Sequence, residues 1–480
     1  MVYNKVGNMR TKYPVAGEPM KNPKNLMKNI TIMLLVALCI TQTVQLWFGG
    51  FSSRNPLSSL FSSEAEYSAV EALASLVRPF RVVTPNGGGF ALLYGDAERG
   101  ALQAVGDDIL SVAMHTGDFV ASYPLDMAAI LQSGGMLYEY AVDMPSEAFV
   151  RFFQTRTDSL SNRVRHFNGI ALLPQNGSAD AVRVVFIDES AGQCHEYMAR
   201  RGGLGADLQA ALNRQTAPSI VYYATALDEV PRFAGNMYYA DWGSGSLLYN
   251  RAEAYSPYGE ITIGNIERYV LAFFENPSWV VRDMDSNVFT YKDDNAVARY
   301  HPNNVLEFAD YKARRAQSSN SFAAAYAAAV NMLQKDRGIV NEFYLSAYVQ
   351  EGESWFFAFD YTVNGFPVYI SQNLSHSLAM SLQGNAEMTH MIEVEVQYDR
   401  VYKYKRYGLS FMADAAAEGV KYTGFMRNIE QALEGSLAPD GESLLPIRSV
   451  VFGYRADGTT QLSLQWLIHD ENGMPLPSFD

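Results

Sequence analysis

The segment SWFFAFDYTVNGFPVYIS, residues 354–371, carries the clearest structural signal in the chain. It is rich in aromatic residues, which favour strands, and a strand is predicted over Trp355–Tyr361. Asn364-Gly365 is a strong signal for a tight hairpin turn, because both residues tolerate positive φ. A strand over Pro367–Ile370 follows this turn, and a strand over Phe343–Gln350 precedes the segment. The segment therefore predicts an antiparallel sheet.

Helices and strands alternate on both sides of this hairpin. Upstream, apolar residues recur at the spacing of an amphipathic helix. They are Phe322, Tyr326, Val330 and Leu333. Downstream, residues 392–398 alternate apolar and polar side chains, as in a strand with one wet face. Thr423 caps a predicted helix that Gly435 ends. The last two strands are predicted at Ile447–Tyr454 and Thr460–Ile468.

The earlier part of the chain has a similar pattern. A hairpin is predicted from Phe80–Val83 and Phe90–Tyr94, and a helix over Ile263–Phe274 ends at Asn276-Pro277. Three more strands and two more helices are predicted between these regions. They are strands Ile170–Leu173, Val182–Ile187 and Cys194–Met198, and helices Leu102–Met114 and Ala206–Asn213. The fold class is predicted to be α+β, with antiparallel sheets packed against helices.

Changes in composition divide the chain into six predicted segments. They are a basic cytoplasmic tail (1–28), a transmembrane helix (29–50), a linker (51–62), a first α+β domain (63–216), a β-rich middle domain (217–317) and a C-terminal α+β domain (318–480). With 480 residues, of which 48% are hydrophobic and 18% charged, the chain is long enough to bury several cores.

The stretch ITIMLLVALCITQTVQLWF, residues 30–48, carries no formal charge. About 20 apolar residues suffice for a helix to cross a hydrocarbon layer of roughly 30 Å. Six basic residues and one acidic residue precede the stretch, so the tail is predicted to stay cytoplasmic and the bulk of the chain to lie outside. A single-pass protein of the cell membrane is thus predicted. A cleaved signal peptide is the alternative, although no small-x-small cleavage site follows.

Charge and cysteine content narrow the range of partners. The formal net charge is −14, and the part beyond the basic tail is still more acidic, which argues against nucleic acid as a partner. Cys39 lies in the predicted membrane helix, so Cys194 is alone in the region outside. No disulfide can form within that region, which favours an exported bacterial protein.

A search for catalytic motifs finds none that is complete. The chain has no phosphate-binding loop, no nucleophile elbow and no His-Glu-x-x-His pair for zinc. It is therefore predicted not to be an enzyme, and no catalytic residue, cofactor or metal is predicted. A cell-envelope hydrolase or peptidase remains an alternative, which would require a cleft that joins residues distant in sequence.

Two sequence patterns come close to a reactive or metal site. In Cys194-His195-Glu196 a thiol lies beside an imidazole, but neighbouring residues of a strand point to opposite faces. A buried structural thiol is predicted there, with a reactive thiol as the alternative. Asp283-x-Asp285-x-Asn287 begins like a calcium loop, but Val288 replaces the glycine that the loop's sharp turn needs. A polar hairpin is predicted there, with calcium binding as the alternative.

The predicted membrane helix has a stripe of polar residues. Five residues follow a spacing of three and four and would share one side of the helix. They are Thr31, Leu35, Leu38, Gln42 and Gln45. Amides that face lipid are costly and usually find partners on a neighbouring helix, so the stripe is predicted to bind a partner helix. Alternatively, Gln42 and Gln45 lie near the outer interface and reach water there.

The chain resembles, over most of its length, the YycH family of membrane-anchored accessory regulators from Gram-positive bacteria. The likeness is most specific in NIERYVLAFFENPSWVVRDMDSNVFTYKDD, where a helix ends at an aromatic-x-Asn-Pro step before a strand and a Tyr-x-Asp turn. VLEFADY, at 305–311, is similar to the aromatic strand that follows in the family. FDYTVNGFPVYIS is similar to the hairpin of YycH and its companion YycI. One departure is the long tail before the predicted span, since Met27 would be a natural start.

The resemblance implies a function as well as a fold. Proteins of this family act with a YycI-like protein on a sensor histidine kinase that governs cell-wall metabolism, through their membrane helices and extracytoplasmic parts. A non-enzymatic regulator in the membrane is therefore expected, with the kinase and a YycI-like protein as partners. The alternative is an extracytoplasmic ligand-binding or adhesive module tethered to the membrane, which would expose an aromatic patch.

Overall fold

The computed structural model describes residues 73–470, with gaps at 75, 87–88, 95, 154–159, 216–221, 226–236, 241–250, 286, 314–319, 382–387 and 415–446. The described part mixes helices with mainly antiparallel strands, which confirms the predicted α+β class. The predicted tail, membrane helix and linker lie outside it, as does the predicted helix that Thr423 caps. No helix of the described part is long and apolar enough to cross a membrane.

Nine of the described strands form the first sheet, in the order β3-β7-β6-β5-β4-β1-β2-β8-β9. They are β1 (Arg81–Asn86), β2 (Gly89–Leu93), β3 (Asp118–Pro124), β4 (Met136–Pro145), β5 (His166–Pro174), β6 (Ala181–Asp188), β7 (Gln193–Arg200), β8 (Tyr222–Thr225) and β9 (Met237–Ala240). The accompanying helices are α1 (Asp96–Thr116), α2 (Met127–Gln132), α3 (Ser146–Phe152) and α4 (Leu204–Arg214). The predicted hairpin at the start of this region is confirmed, because β1 and β2 pair with Val82 opposite Leu93.

The centre of this sheet is buried on both faces. Residues 170–173 on β5 and 184–187 on β6 form unbroken buried runs, as expected for strands that are covered on both sides. Helices α1 and α4 pack against each other, α1 contacts β6 and β7, and α4 contacts β5 and β6. The predicted helices in this region are confirmed, and both extend beyond the predicted limits.

Eleven described strands form the second sheet, in the order β11-β12-β13-β14-β19-β18-β16-β17-β21-β23, with β15 also paired to β16. They are β11 (Val281–Asp285), β12 (Val288–Lys292), β13 (Ala296–Tyr300), β14 (Val305–Asp310), β15 (Glu342–Glu351), β16 (Ser354–Val363), β17 (Phe366–Ile370), β18 (Ile392–Gln397), β19 (Arg400–Tyr407), β21 (Ile447–Ala456) and β23 (Leu464–Asp470). Helices α5 (Ile263–Val270), α6 (Phe322–Lys335) and α7 (Gln372–Ser381) lie between these strands in sequence. Among the described strand pairs, only β17 and β21 run parallel.

The predicted hairpin signals in this sheet are confirmed. Asn364 and Gly365 have φ values of 52° and 82°, so both occupy the left-handed region that a tight turn between β16 and β17 requires. On β18 the residues Ile392, Val394 and Val396 are buried, and the residues between them are partly exposed. The buried face of the sheet packs against α6, where the ring of Tyr326 lies 5.7 Å from that of Phe357.

Two predicted elements differ from the structure. The helix over Ile263–Phe274 ends at Val270 and continues as a 3-10 turn over Leu271–Phe273. The last predicted strand is divided into two. Its first part, β22 (Gln461–Leu462), joins β10 (Ala252–Tyr255) and β20 (Ser410–Ala413) in a third, small sheet. The reason is a competing partner, because the carbonyl of Thr460 accepts a hydrogen bond from the Ala254 N–H at 2.8 Å.

The second sheet joins the predicted middle and C-terminal segments. Strand β14, which precedes residue 317, pairs with β19 in a continuous antiparallel register. Strands β8 and β9, which follow residue 217, belong to the first sheet. The predicted division into three domains stays a prediction.

Candidate functional site

The predicted site residues all lie outside the described part of the chain. They are Thr31, Leu35, Leu38, Gln42 and Gln45. Their role in binding a partner helix stays a prediction.

The segment with the most specific family likeness forms one edge of the second sheet. Helix α5 begins at Thr262, whose hydroxyl accepts the Asn265 N–H at 3.2 Å. The following aromatic step is buried, since the rings of Phe273 and Phe274 lie 5.4 and 5.9 Å from Phe308. The chain then leaves the core through a 3-10 turn over Pro277–Trp279 and enters β11.

Strand β11 and the tryptophan before it form the most exposed apolar surface on this edge. Every residue of β11 is exposed, and the exposed fractions are 68% for Trp279 and 62% for Met284. Among the described strands β11 pairs only with β12, so no other described strand covers its outer edge. Open strand edges with apolar side chains favour pairing with another chain. Trp279 and β11 together are called the contact edge below.

The acidic pattern in β11 belongs to a hairpin, as predicted. Asp285 lies opposite Val288, and Asn287 supplies the turn with a φ of 66°. Arg282 Nε donates to Glu267 Oε1 at 2.8 Å, and Lys292 Nζ lies 3.7 Å from Asp283. Within the described residues no group of three or more acidic, His or Cys side chains could hold a metal ion.

The prediction of a buried thiol at Cys194 is confirmed. The Cys194 side chain is fully buried, and burial raises the pKa of its thiol to about 11. Its neighbour His195 bonds elsewhere, with Nδ1 2.8 Å from Ser122 Oγ. Glu196 accepts two hydrogen bonds from Arg183, at 2.9 and 2.8 Å. The thiol and the imidazole therefore do not act on each other, and the thiol stays protonated near neutral pH.

A Ser-His-Asp cluster lies on the second sheet, and its geometry does not match a catalytic triad. His390 Nδ1 lies 2.9 Å from Asp360 Oδ2 and also 3.2 Å from Ser346 Oγ. A triad needs the serine and the aspartate on opposite ring nitrogens, because the histidine must pass a proton between them. The Ser346 hydroxyl already donates to the Ala358 carbonyl at 3.1 Å. The cluster therefore lends no support to the hydrolase alternative.

A second buried cluster surrounds Arg406. Its Nε donates to Asp336 Oδ2 at 2.7 Å, and Tyr404 donates to the same oxygen at 2.7 Å. Arg406 also donates to the hydroxyl of Tyr258, which comes from a loop 148 residues earlier. Both charged side chains are fully buried, at 0% exposure. The cluster joins distant segments of the chain and has no opening to solvent.

Sequence reasoning missed these two clusters. The partners lie 30 residues apart for Asp360 and His390 and 70 residues apart for Asp336 and Arg406, and no motif joins them. Exposure of Trp279 could have been suspected from the sequence, because Trp279 closely follows Asn276-Pro277, where the predicted helix ends.

Comparison with solved structures finds two similar chains. One is YycH from Bacillus subtilis, which is 15% identical with a TM-score of 0.51, and the match covers 84% of this chain and 96% of that one. The other is an uncharacterized protein from Eubacterium rectale, 10% identical with a TM-score of 0.31, covering 56% of this chain and 89% of that one. The first likeness shows a YycH-like fold. No family model matches the sequence, and no curated protein matches it either.

Proposed function

We propose that this protein is a non-enzymatic regulator, anchored in the cell membrane, that modulates a sensor histidine kinase controlling cell-wall metabolism. A YycI-like protein is its second partner. The observation that carries the proposal is the YycH-like fold, which extends over 84% of this chain. The uncharged stretch at residues 30–48, with basic residues before it, supports an anchor that leaves the bulk of the chain outside the cytoplasm.

The contact edge supports a role in binding another protein. Trp279 is largely exposed, and truncation of a tryptophan at the centre of an interface typically costs about 2 kcal/mol or more. We assign the edge to the extracytoplasmic part of the kinase complex. The same exposed aromatic residue also favours the alternative of a ligand-binding or adhesive module, so the experiments must separate the two.

The first test is affinity capture of the full-length protein from detergent-solubilised native membranes. A histidine kinase or a YycI-like protein in the eluate, identified by mass spectrometry, is the expected result. The Trp279→Ser variant should recover roughly thirtyfold less of that partner, the factor that corresponds to about 2 kcal/mol. Met412→Ser is the matched control, because Met412 is 59% exposed but lies in the small third sheet. Recovery of the protein alone, or with wall fragments, would contradict the proposal.

The second test addresses the polar stripe. Gln42→Leu combined with Gln45→Leu removes the amides that would bond to a partner helix, and capture of the kinase should fall. Replacement of the whole span by polyleucine should abolish signalling while the soluble part remains folded. A tethered binding or adhesive module would keep its function after either change.

A further inference from the structure

The two large sheets meet at strand β15. Tyr348 donates a hydrogen bond to the Asp143 carbonyl on β4 at 2.7 Å, and the ring of Tyr344 lies 4.8 Å from that of Phe80, next to β1. Close by, the rings of Tyr94 and Phe366 are 5.3 Å apart. These contacts, here called the sheet junction, are made mainly by tyrosine and phenylalanine side chains, together with a long ion pair between Arg78 and Glu342 at 3.9 Å.

A buried carboxylate lies directly behind the sheet junction. Asp360 lies opposite Tyr344 in the β15–β16 register and points away from α6, since Phe359 and Tyr361 on either side of it face the core. The pKa of Tyr344 is raised mainly by burial, and further by the nearby Tyr369 and Asp360. The negative charge of Asp360 therefore acts on Tyr344, the tyrosine that packs against Phe80 beside the first sheet.

His390 connects this carboxylate to solvent. The Asp360 side chain is 1% exposed, whereas that of His390 is 29% exposed. The Ser346 hydroxyl uses its proton on the Ala358 carbonyl, so towards His390 Nδ1 it can only accept. The Asp360 carboxylate also accepts from Nδ1. Nδ1 of His390 therefore carries a proton. Nε2 has no hydrogen-bond partner among the described residues and can take up a second proton.

The carboxylates nearest His390 favour its protonated form. Strand β16 contributes Asp360, and β18 contributes Glu393, which accepts the Thr389 N–H at 3.0 Å. Lys405 on β19 lies opposite Glu393. Strands β15 and β17 contribute neutral groups, which are Ser346 and Tyr344 on β15 and Tyr369 on β17. Both acids favour the charged imidazole, and Lys405 is shared with a third acid, because it also lies opposite Glu307 on β14.

We propose that the pair of His390 and Asp360 is a proton-dependent latch that holds the sheet junction closed when His390 is charged and loosens it when His390 is neutral. This inference goes beyond the proposed function, since it assigns an acidity response to the fold itself. Burial lowers the pKa of His390, but attraction by Asp360 and the hydrogen bond to it outweigh burial and raise the pKa above its ordinary value. The latch is therefore fully engaged below about pH 6.5, the ordinary histidine value, and is released as pH rises through the raised value.

Hydrogen exchange of the full-length protein in detergent tests the latch. Peptides that contain residues 342–348 and 78–83 should lose protection between pH 5.5 and pH 8.5, after correction for the intrinsic rate. If the pKa of His390 differs by one unit between the closed and the opened junction, the opening equilibrium changes about tenfold. His390→Asn keeps a donor near the Nδ1 position but cannot titrate, so its corrected protection should not change with pH.

A control separates the latch from general pH effects. His195→Asn alters a buried histidine on β7 of the first sheet, where burial lowers the pKa. This variant should keep the full pH dependence at the sheet junction. Should His390→Asn fail to fold, an NMR titration of His390 in the unmodified protein decides the matter. A pKa at or below the ordinary value, or protection that is equal at both pH values, would overturn the proposal.

Discussion

Two buried aspartates in the second sheet have different kinds of partner. Asp336 pairs with Arg406, and both side chains are completely buried. Asp360 pairs with His390, whose ring still reaches solvent. Burial lowers the pKa of Arg406, but Asp336 and the surrounding tyrosines outweigh burial and raise it, so the arginine is always charged. One pair is therefore permanent, whereas the other can lose its charge when the pH changes.

The difference shows that a buried ion pair can either fix the fold permanently or make its stability depend on pH. A permanent charge pair costs desolvation free energy once, at folding, and afterwards specifies which segments come together. A pair with a titratable, solvent-connected member makes part of the stability depend on pH. The position of each pair fits its role, because Arg406 joins Tyr258 and Gly338 inside the core, while Asp360 lies at the sheet junction.

The largest effect is expected when the permanent pair is broken. Arg406→Met leaves Asp336 as an unpaired buried charge, which typically costs about 3–5 kcal/mol. The free energy of unfolding in urea should fall by that amount at every pH between 5.5 and 8.5. The double variant Arg406→Met with Asp336→Asn should recover part of the loss, since the stranded charge is gone. A loss below about 1 kcal/mol, as for an exposed ion pair, would contradict the inference that burial makes the Arg406–Asp336 pair costly to break.

How much of this could be predicted from the sequence depends on distance along the chain. Asn364-Gly365 and the alternation on β18 are local signals, and both predicted elements are present. Val368 pairs in parallel with Tyr454, a long-range contact that no local pattern encodes. The same holds for Asp360 and His390, because a lone histidine in a sequence carries no sign of its partner.

A smaller and pH-dependent effect is expected at the second pair. Asp360→Asn removes the negative charge that stabilises protonated His390 and leaves the Met391 N–H with a neutral acceptor. Since hydrogen bonds to charged groups contribute about 1.5–3 kcal/mol, the unfolding free energy should fall by that amount at pH 5.5. The loss should shrink toward pH 8.5, where His390 in the unmodified protein is already neutral. Equal losses at both pH values would mean that His390 does not titrate in this range.

The smallest effect is expected at an ion pair of the same chemistry that remains exposed. Arg200 on β7 lies 2.7 Å from Asp118 on β3, as close as Arg406 lies to Asp336, but the two side chains are 61% and 74% exposed. Exposed pairs contribute about 0.2–1 kcal/mol, because water already solvates both charges and salt screens them. Arg200→Gln should therefore change the urea midpoint little, and any loss should vanish at 1 M salt. A loss as large as that of Arg406→Met would show that pair geometry, and not burial, sets the strength of these contacts.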